Sequence, residues 1–165
     1  MSIVNFYCTD PKNAPKTTQG ARLGGNAILL WQDRLLLERR EDADVWGLVG
    51  GGAKKRETGR QAVAREVHEE LGLRIPAADF IKLSVYDNPG RIAAYRDGSV
   101  WRMVIALYGY VFEEKPVLRI SRESRELRFF TREEVRTLDL AVTHRDIIED
   151  WFLNMSQKDW PRKDF

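Results

Sequence analysis

The feature that most constrains the fold is an apolar stretch from Val100 to Phe112, which only Arg102 interrupts. Both alternating faces of an extended chain would be apolar here. A strand with this pattern needs cover on both sides, which helices packed on each face of a sheet provide. The stretch is too short for a membrane span. It therefore predicts a sheet buried between helical layers.

Neighbouring segments predict more of that sheet. Residues 25–31 and 35–40 are apolar runs separated by three polar residues, a pattern typical of a hairpin. Ile81, Leu83 and Val85 alternate with more polar residues, which predicts a half-buried strand with these three side chains inward.

The end of the chain predicts another strand and two helices. Leu127 and Phe129 mark the strand, one helix begins after Thr131, and the other carries the apolar side chains of residues 147–152. The fold class is therefore α/β, with a mixed sheet and helices packed on its faces.

Composition excludes several kinds of protein. The 165 residues suit one domain, and 27 basic against 25 acidic side chains give a net charge of only +2, which does not indicate a nucleic-acid partner. Cys8 is the only cysteine, so neither an intrachain disulfide nor a cysteine-built zinc site is expected. The polar start lacks the pattern of a signal peptide, and no segment suits a membrane span, so we expect a cytoplasmic location.

The strongest helix pattern lies after a run of three glycines. Thr58, followed three residues later by Gln61, has the form of a capping box, and Gly72 is a natural stop. Between them an apolar stripe recurs every three or four residues at Ala64, Val67 and Leu71.

Three carboxylates share this helix. Glu66, Glu69 and Glu70 are spaced i, i+3 and i+4, so we expect them on one exposed face, away from the apolar stripe. Like charges so placed repel, whereas a hard cation such as Mg²⁺ would bind their oxygens. Taken alone, the triplet favours an ordinary solvated helix face.

The spacing around the triplet is more specific. It resembles the Nudix box of the MutT-like Nudix hydrolases, with nine fixed positions over 23 residues. Those positions are Gly51, Glu57, Arg65, Glu66, Val67, Glu69, Glu70, Gly72 and Leu73. The looser resemblance covers residues 21–152 and implies an α/β/α sandwich with a loop-helix-loop metal site. The predicted organisation is an irregular lead-in at 1–20, a Nudix hydrolase domain at 21–156 and a tail at 157–165.

The resemblance also implies the role of each box residue. The implied metal ligands are the carboxylates of Glu66, Glu69 and Glu70 and the backbone carbonyl of Gly50, with Mg²⁺ as the ion and Mn²⁺ as a substitute. The implied structural residues are Gly51, Glu57, Arg65 and Gly72: Glu57 and Arg65 join loop to helix, and the glycines permit backbone conformations that a side chain would obstruct.

Catalytic and substrate-binding residues are less narrowly implied. The general base is Glu69 within the box or Glu123 beyond it, with Glu126 as a nearby competitor. Arg39 is the expected substrate contact, and alternation sends Arg40 to the opposite face. The basic loop at 54–56 is either a phosphate contact or a solvated turn.

The implied function is Mg²⁺-dependent hydrolysis of a phosphoanhydride bond in a nucleoside diphosphate linked to another moiety, such as ADP-ribose, a nucleotide sugar or a (d)NTP. The alternative is a Nudix-like module that binds a nucleotide without turnover. Such modules typically lose box carboxylates, and none is lost here, which favours the enzyme. The expected partners are a nucleotide-type small molecule and, as in many family members, a second copy in a homodimer, with no nucleic acid and no membrane.

Overall fold

A computed structural model describes residues 3–41 and 44–162. Within them the strands are β1 Ile3–Phe6, β2 Ala21–Trp31, β3 Arg34–Arg40, β4 Trp46–Gly47, β5 Val49–Gly52, β6 Ile81–Tyr86, β7 Ile92–Tyr95, β8 Val100–Phe112 and β9 Ser124–Phe130. The α-helices are α1 Gly59–Leu71, α2 Arg132–Val135 and α3 Arg145–Ile148, the last continuing as a π-helical turn, Glu149–Leu153. Short 3-10 turns lie at Pro11–Asn13, Ala77–Asp79 and Gln157–Asp159.

All of these strands belong to one mixed sheet. Its main order is β1-β7-β8-β2-β3-β4. Three further strands extend it: β5 pairs with β2, β6 with β8 and β9 with β3. The central pair, β2 and β8, is parallel from Ala21 beside Arg102 to Trp31 beside Phe112, and the other pairs are antiparallel. The predicted hairpin is confirmed, because Leu30 pairs with Leu35 and Trp31 with Arg34.

The core has two parts because alternate residues of β2 belong to different clusters. Ala27 and Leu29 pack with Val67 of α1, whereas Ile28 and Leu30 pack with Phe152 of the closing helical segment. Helices therefore cover both faces of the sheet, as the Val100–Phe112 pattern predicted, and the middle of β8 is buried from Ile105 to Gly109. The predicted α/β/α sandwich with a mixed sheet is confirmed.

The predicted alternation in β6 is wrong in its second half. The register with β8 shifts between Lys82 and Ser84, so the strand is irregular at Leu83. A bulge of this kind exchanges the two faces of a strand. Val85 is consequently exposed and Tyr86 half-buried, the reverse of the expected pattern.

Both ends of the described chain contain ordered contacts. The lead-in that we expected to be irregular includes β1, which pairs with β7. At the other end Trp160 is buried so closely over Gly109 that a β-carbon there would lie 2.5 Å from the indole ring. The division at 157 stays a prediction, although Trp160 itself packs into the core. No helix among the described residues has both the length and the hydrophobicity needed to cross a bilayer.

Candidate active site

Helix α1 begins and ends where its capping residues lie. The Thr58 hydroxyl accepts from the Gln61 backbone N–H at 3.1 Å, and the Thr58 N–H donates to the Gln61 side chain at 3.0 Å, which completes the predicted capping box. Gly72 ends the helix in the left-handed conformation, at φ 73°. Both ends of the helix are therefore fixed relative to the loops that flank it.

Arg65 joins the preceding loop to this helix. Its Nε and Nη2 donate to the two Glu57 oxygens at 2.8 and 2.9 Å, and Nη2 also donates to the Gly52 carbonyl at 3.0 Å. Its Nη1 donates to Glu66 at 2.8 Å and to Glu69 at 3.1 Å. Hydrogen bonds from Arg65 lower the pKa of Glu57 to about 2, and Glu57 in turn raises the pKa of Arg65. The ion pair therefore stays charged at neutral pH.

Two glycines allow the loop to pass close to its neighbours. Gly50 has φ 148°, and a β-carbon there would lie 2.1 Å from the Gly25 carbonyl oxygen. A β-carbon on Gly51 would lie 2.7 Å from Glu66 Oε1. Side chains at these positions would push β5 away from β2 and from the carboxylate, so the glycines keep the loop against Glu66.

The three helix glutamates differ in burial. The Glu69 side chain is 51% exposed and that of Glu66 14%, whereas Glu70 is only 3% exposed. The prediction that all three lie on an exposed face is wrong for Glu70, because β5 packs against this part of α1. The Glu70 Oε2 atom accepts from the Gly50 N–H at 3.3 Å.

A fourth carboxylate, which was not among the predicted site residues, lies beside Glu70. Glu38 of β3 is 1% exposed, accepts from the Ser124 hydroxyl at 2.9 Å and shares a hydrogen bond with Glu70. Burial raises the pKa of Glu70 far above its ordinary value, and the carboxylates of Glu38 and Glu66 raise it further. Burial also raises the pKa of Glu38. The available signal was an acidic residue directly after the apolar residues 35–37. Because a strand with three consecutive apolar residues is expected to be buried on both faces, an acidic residue within it is expected to be buried too.

These carboxylates adjoin the cavity that we assign as the active site, which has a volume of about 660 Å³. One side is formed by the loop and helix, and the other by the segment before α3. Its lining residues are Ile3, Arg22, Leu23, Gly24, Asn26, Arg40, Val45, Gly50, Gly51, Gly52, Glu66, Glu70, Tyr95, Met103, Ile105, Glu123, Asp139, Leu140, Ala141, Val142, Thr143 and His144. Acidic and apolar side chains therefore both line the cavity.

The residues predicted outside the box are divided between the cavity and its surroundings. Glu123 lines the cavity, whereas Glu126 bonds Arg128 at 2.6 Å. Arg40 lines it and lies 3.8 Å from Glu38. Arg39 does not line it and donates to Asp44 at 2.8 Å. The geometry thus favours Arg40 over Arg39 as a substrate contact, and the role of Arg39 stays a prediction.

Among residues 3–41 and 44–162, no group of three Asp, Glu, His or Cys side chains stands ready to hold a metal ion. Arg65 bonds both Glu66 and Glu69, which keeps these carboxylates on its guanidinium. The donor set nevertheless fits a hard cation, since carboxylate and carbonyl oxygens are what Mg²⁺ prefers. The adjoining Glu38 and Glu70 are buried carboxyl groups with raised pKa values, and a divalent cation bound to them would displace their protons.

Comparison with known proteins identifies the family of the chain. The NUDIX domain family model matches residues 22–151. A MutT-like protein from Streptomyces ambofaciens is 32% identical over 133 residues, covering 79% of this chain and 76% of that protein. Nucleoside triphosphatase NudI from Enterobacter sp. (strain 638) is 31% identical over 102 residues, covering 61% and 71%. A MutT NUDIX hydrolase structure from Burkholderia pseudomallei aligns with a TM-score of 0.64 at 26% identity, covering 79% and 97%.

Fold and site together define a class of α/β/α hydrolase in which one loop and helix bring acidic side chains to the substrate cavity. The match over residues 22–151 shows that the chain belongs to the Nudix family. It is a Nudix hydrolase, as predicted, and this family acts on nucleoside diphosphate derivatives. Nudix hydrolases generally use a divalent metal such as Mg²⁺.

His144 fixes the part of the cavity wall that is formed by the segment before α3. Its Nδ1 accepts from the Leu48 backbone N–H at 3.0 Å, which requires that nitrogen to be unprotonated. Burial, together with the charges of Arg91 and Arg40, lowers the pKa of His144 from its ordinary 6.5 to about 4. Protonation of His144 therefore opposes the hydrogen bond to Leu48, which lies between β4 and β5.

We expect a loss of stability in mild acid that depends on His144. The unfolded chain takes up the proton first, so the contribution is complete above about pH 6.5 and is lost towards pH 4, by at most about 3 kcal/mol. Denaturant unfolding from pH 7.5 to 4 measures it. His144→Asn, whose amide oxygen can replace Nδ1 as acceptor, should give a shallower acid slope than wild type, with His68→Asn as control. Equal slopes for wild type and His144→Asn would contradict the assignment.

Proposed function

We propose that this chain hydrolyses a phosphoanhydride bond in a nucleoside diphosphate linked to another moiety, with Mg²⁺ as metal ion and Mn²⁺ as a substitute. The observation that carries the proposal is a complete Nudix box whose Glu66 and Glu70 line a cavity of about 660 Å³. Small-molecule sites typically have volumes of several hundred Å³. The substrate classes are (d)NTPs, ADP-ribose and nucleotide sugars. The name of the nucleoside triphosphatase relative favours testing triphosphates first.

The metal would be held by Glu66, Glu69, Glu70 and the Gly50 carbonyl. When bound, the ion neutralises phosphate oxygens and lowers the pKa of a bound water. The chain's own contribution is to hold these donors in position. Arg65 fixes Glu66 and Glu69 on one side, and the Gly50 N–H bonds Glu70 on the other. Because Glu69 is half exposed, its bond to Arg65 is the least costly of these to exchange.

We propose Glu123 as the general base, with Glu69 as the alternative. A base must reach the attacking water, and Glu123 lines the cavity whereas Glu69 does not. Its backbone is held because the Glu123 carbonyl accepts from the Glu41 N–H at 2.8 Å, and the next residue, Ser124, bonds Glu38. The exposed Glu123 side chain can therefore act from a fixed backbone position.

A module that binds a nucleotide without turnover is the alternative function. All the carboxylates of the box are present, together with a further buried one at Glu38. Burying carboxyl groups together costs stability, and binding of a cation would offset that cost. This cost favours the enzyme.

The first test is hydrolysis of a substrate panel by wild type and Glu70→Gln. With Mg²⁺, wild type should hydrolyse at least one of the (d)NTPs, ADP-ribose or nucleotide sugars, and the variant should lose at least about 100-fold in kcat. Because the pKa of Glu70 is strongly raised without metal, a neutral amide suits its environment, and we expect the variant to fold. Circular dichroism and thermal unfolding check this. A folded variant with wild-type activity would refute the assigned site.

The second test compares Glu123→Gln with Glu126→Gln, two exchanges of the same kind three residues apart. Loss of a general base typically costs about 100-fold or more in rate, so Glu123→Gln should lower kcat by that order. Glu126→Gln should change kcat less than about twofold. Steady-state kinetics between pH 6 and 9 measure both. Equal activity of the two variants would transfer the role of base to Glu69.

A further inference from the structure

One edge of the cavity carries a cation that the box does not account for. Arg22, Gly24 and Asn26, alternate residues of β2, all line the cavity, beside Met103 and Ile105 of β8. Because Gly24 has no side chain, bare backbone separates the guanidinium of Arg22 from the buried amide of Asn26. A ligand can therefore approach Arg22 along this strand.

The guanidinium of Arg22 lies beside Gly52, the last residue of β5. A β-carbon on Gly52 would lie 3.6 Å from both Nε and Nη2 of Arg22, and the guanidinium carbon lies 5.9 Å from the ring centroid of Trp101. The Glu66 carboxylate lies against Gly51, the preceding residue of β5. Glu66 and Arg22 thus lie beside consecutive residues of β5, on opposite faces of that strand, and both line the cavity.

The Arg22 side chain forms no ion pair or hydrogen bond with any residue that the structure describes. Other arginines near the site are engaged: Arg65 bonds Glu57, and Arg40 lies 3.8 Å from Glu38. Arg22 therefore keeps its N–H donors and its charge available for a ligand. A planar guanidinium supported by an aromatic ring is suited to bind a phosphate through two hydrogen bonds.

We propose that Arg22 is a phosphate-binding residue. It contacts the phosphate adjacent to the one that binds at helix α1. The proposal rests on the proposed function. Because Glu66 and Glu123 line the cavity and repel an anionic substrate, the second phosphate needs a cation beyond the metal. Arg22, beside Gly52 of β5, supplies that cation at the edge of the cavity. It thereby favours substrates whose phosphate chain extends along β2.

The probe is imidodiphosphate, a diphosphate analogue that resists hydrolysis and carries no base. Its affinity in the presence of Mg²⁺ is measured by calorimetry on wild type, Arg22→Gln and Arg22→Lys. Arg34→Gln is the matched control, since Arg34 lies 5.7 Å from the ring of Trp31 in a similar stacked arrangement outside the cavity. We expect Arg22→Gln to weaken binding by about tenfold, Arg22→Lys by less, and Arg34→Gln not at all.

Kinetics on a hydrolysed nucleotide give a second readout. Arg22→Gln should raise KM by a similar factor while kcat changes little, which a loss of folding or of metal binding would not produce. Equal imidodiphosphate affinity of Arg22→Gln and wild type, or no binding by wild type, would overturn the proposal. If wild type binds the probe through Arg22 but hydrolyses no nucleotide, the phosphate site stands and the hydrolase proposal fails.

Discussion

The rest of the site depends on the fork of hydrogen bonds made by Arg65. One guanidinium bonds both oxygens of Glu57 and the Gly52 carbonyl, and it also bonds Glu66 and Glu69. The loop and the helix are thereby fixed to each other by a pair that stays charged at neutral pH. This fork positions Glu66 and Glu69, whereas Glu70 is held by the Gly50 N–H.

The sheet supplies the second constraint. The long parallel pairing of β2 with β8 buries their middle residues between helical layers, and the first half of β2 pairs with β5 and lines the cavity. The same strand is therefore a core element at Ile28 and Leu29 and a wall of the cavity at Arg22 and Gly24. This division explains why the residues with chemistry cluster at one end of an otherwise apolar strand.

Sequence patterns predicted what is local. The capping box at Thr58 and the end of α1 at Gly72 are short-range features of one continuous segment, so spacing alone revealed them, whereas the loop-helix unit was implied by the resemblance to the Nudix box. The burial of Glu70 and its contact with Glu38 depend on how β5 and β3 pack, which no periodicity within α1 encodes. The side chain of Val85 is exposed because of a register shift against β8, and Arg22 reaches the loop through pairing between distant strands.

The acidic side chains that α1 brings to the cavity would hold a divalent cation. Crystals grown or soaked with Mn²⁺ test this most directly, because anomalous scattering identifies the ion without reference to activity. We expect an anomalous peak in contact with oxygens of Glu66 and Glu70, with the Arg65 bond to Glu69 exchanged or lengthened. An intact fold with no peak beside these two carboxylates, at a Mn²⁺ concentration that supports hydrolysis, would contradict it.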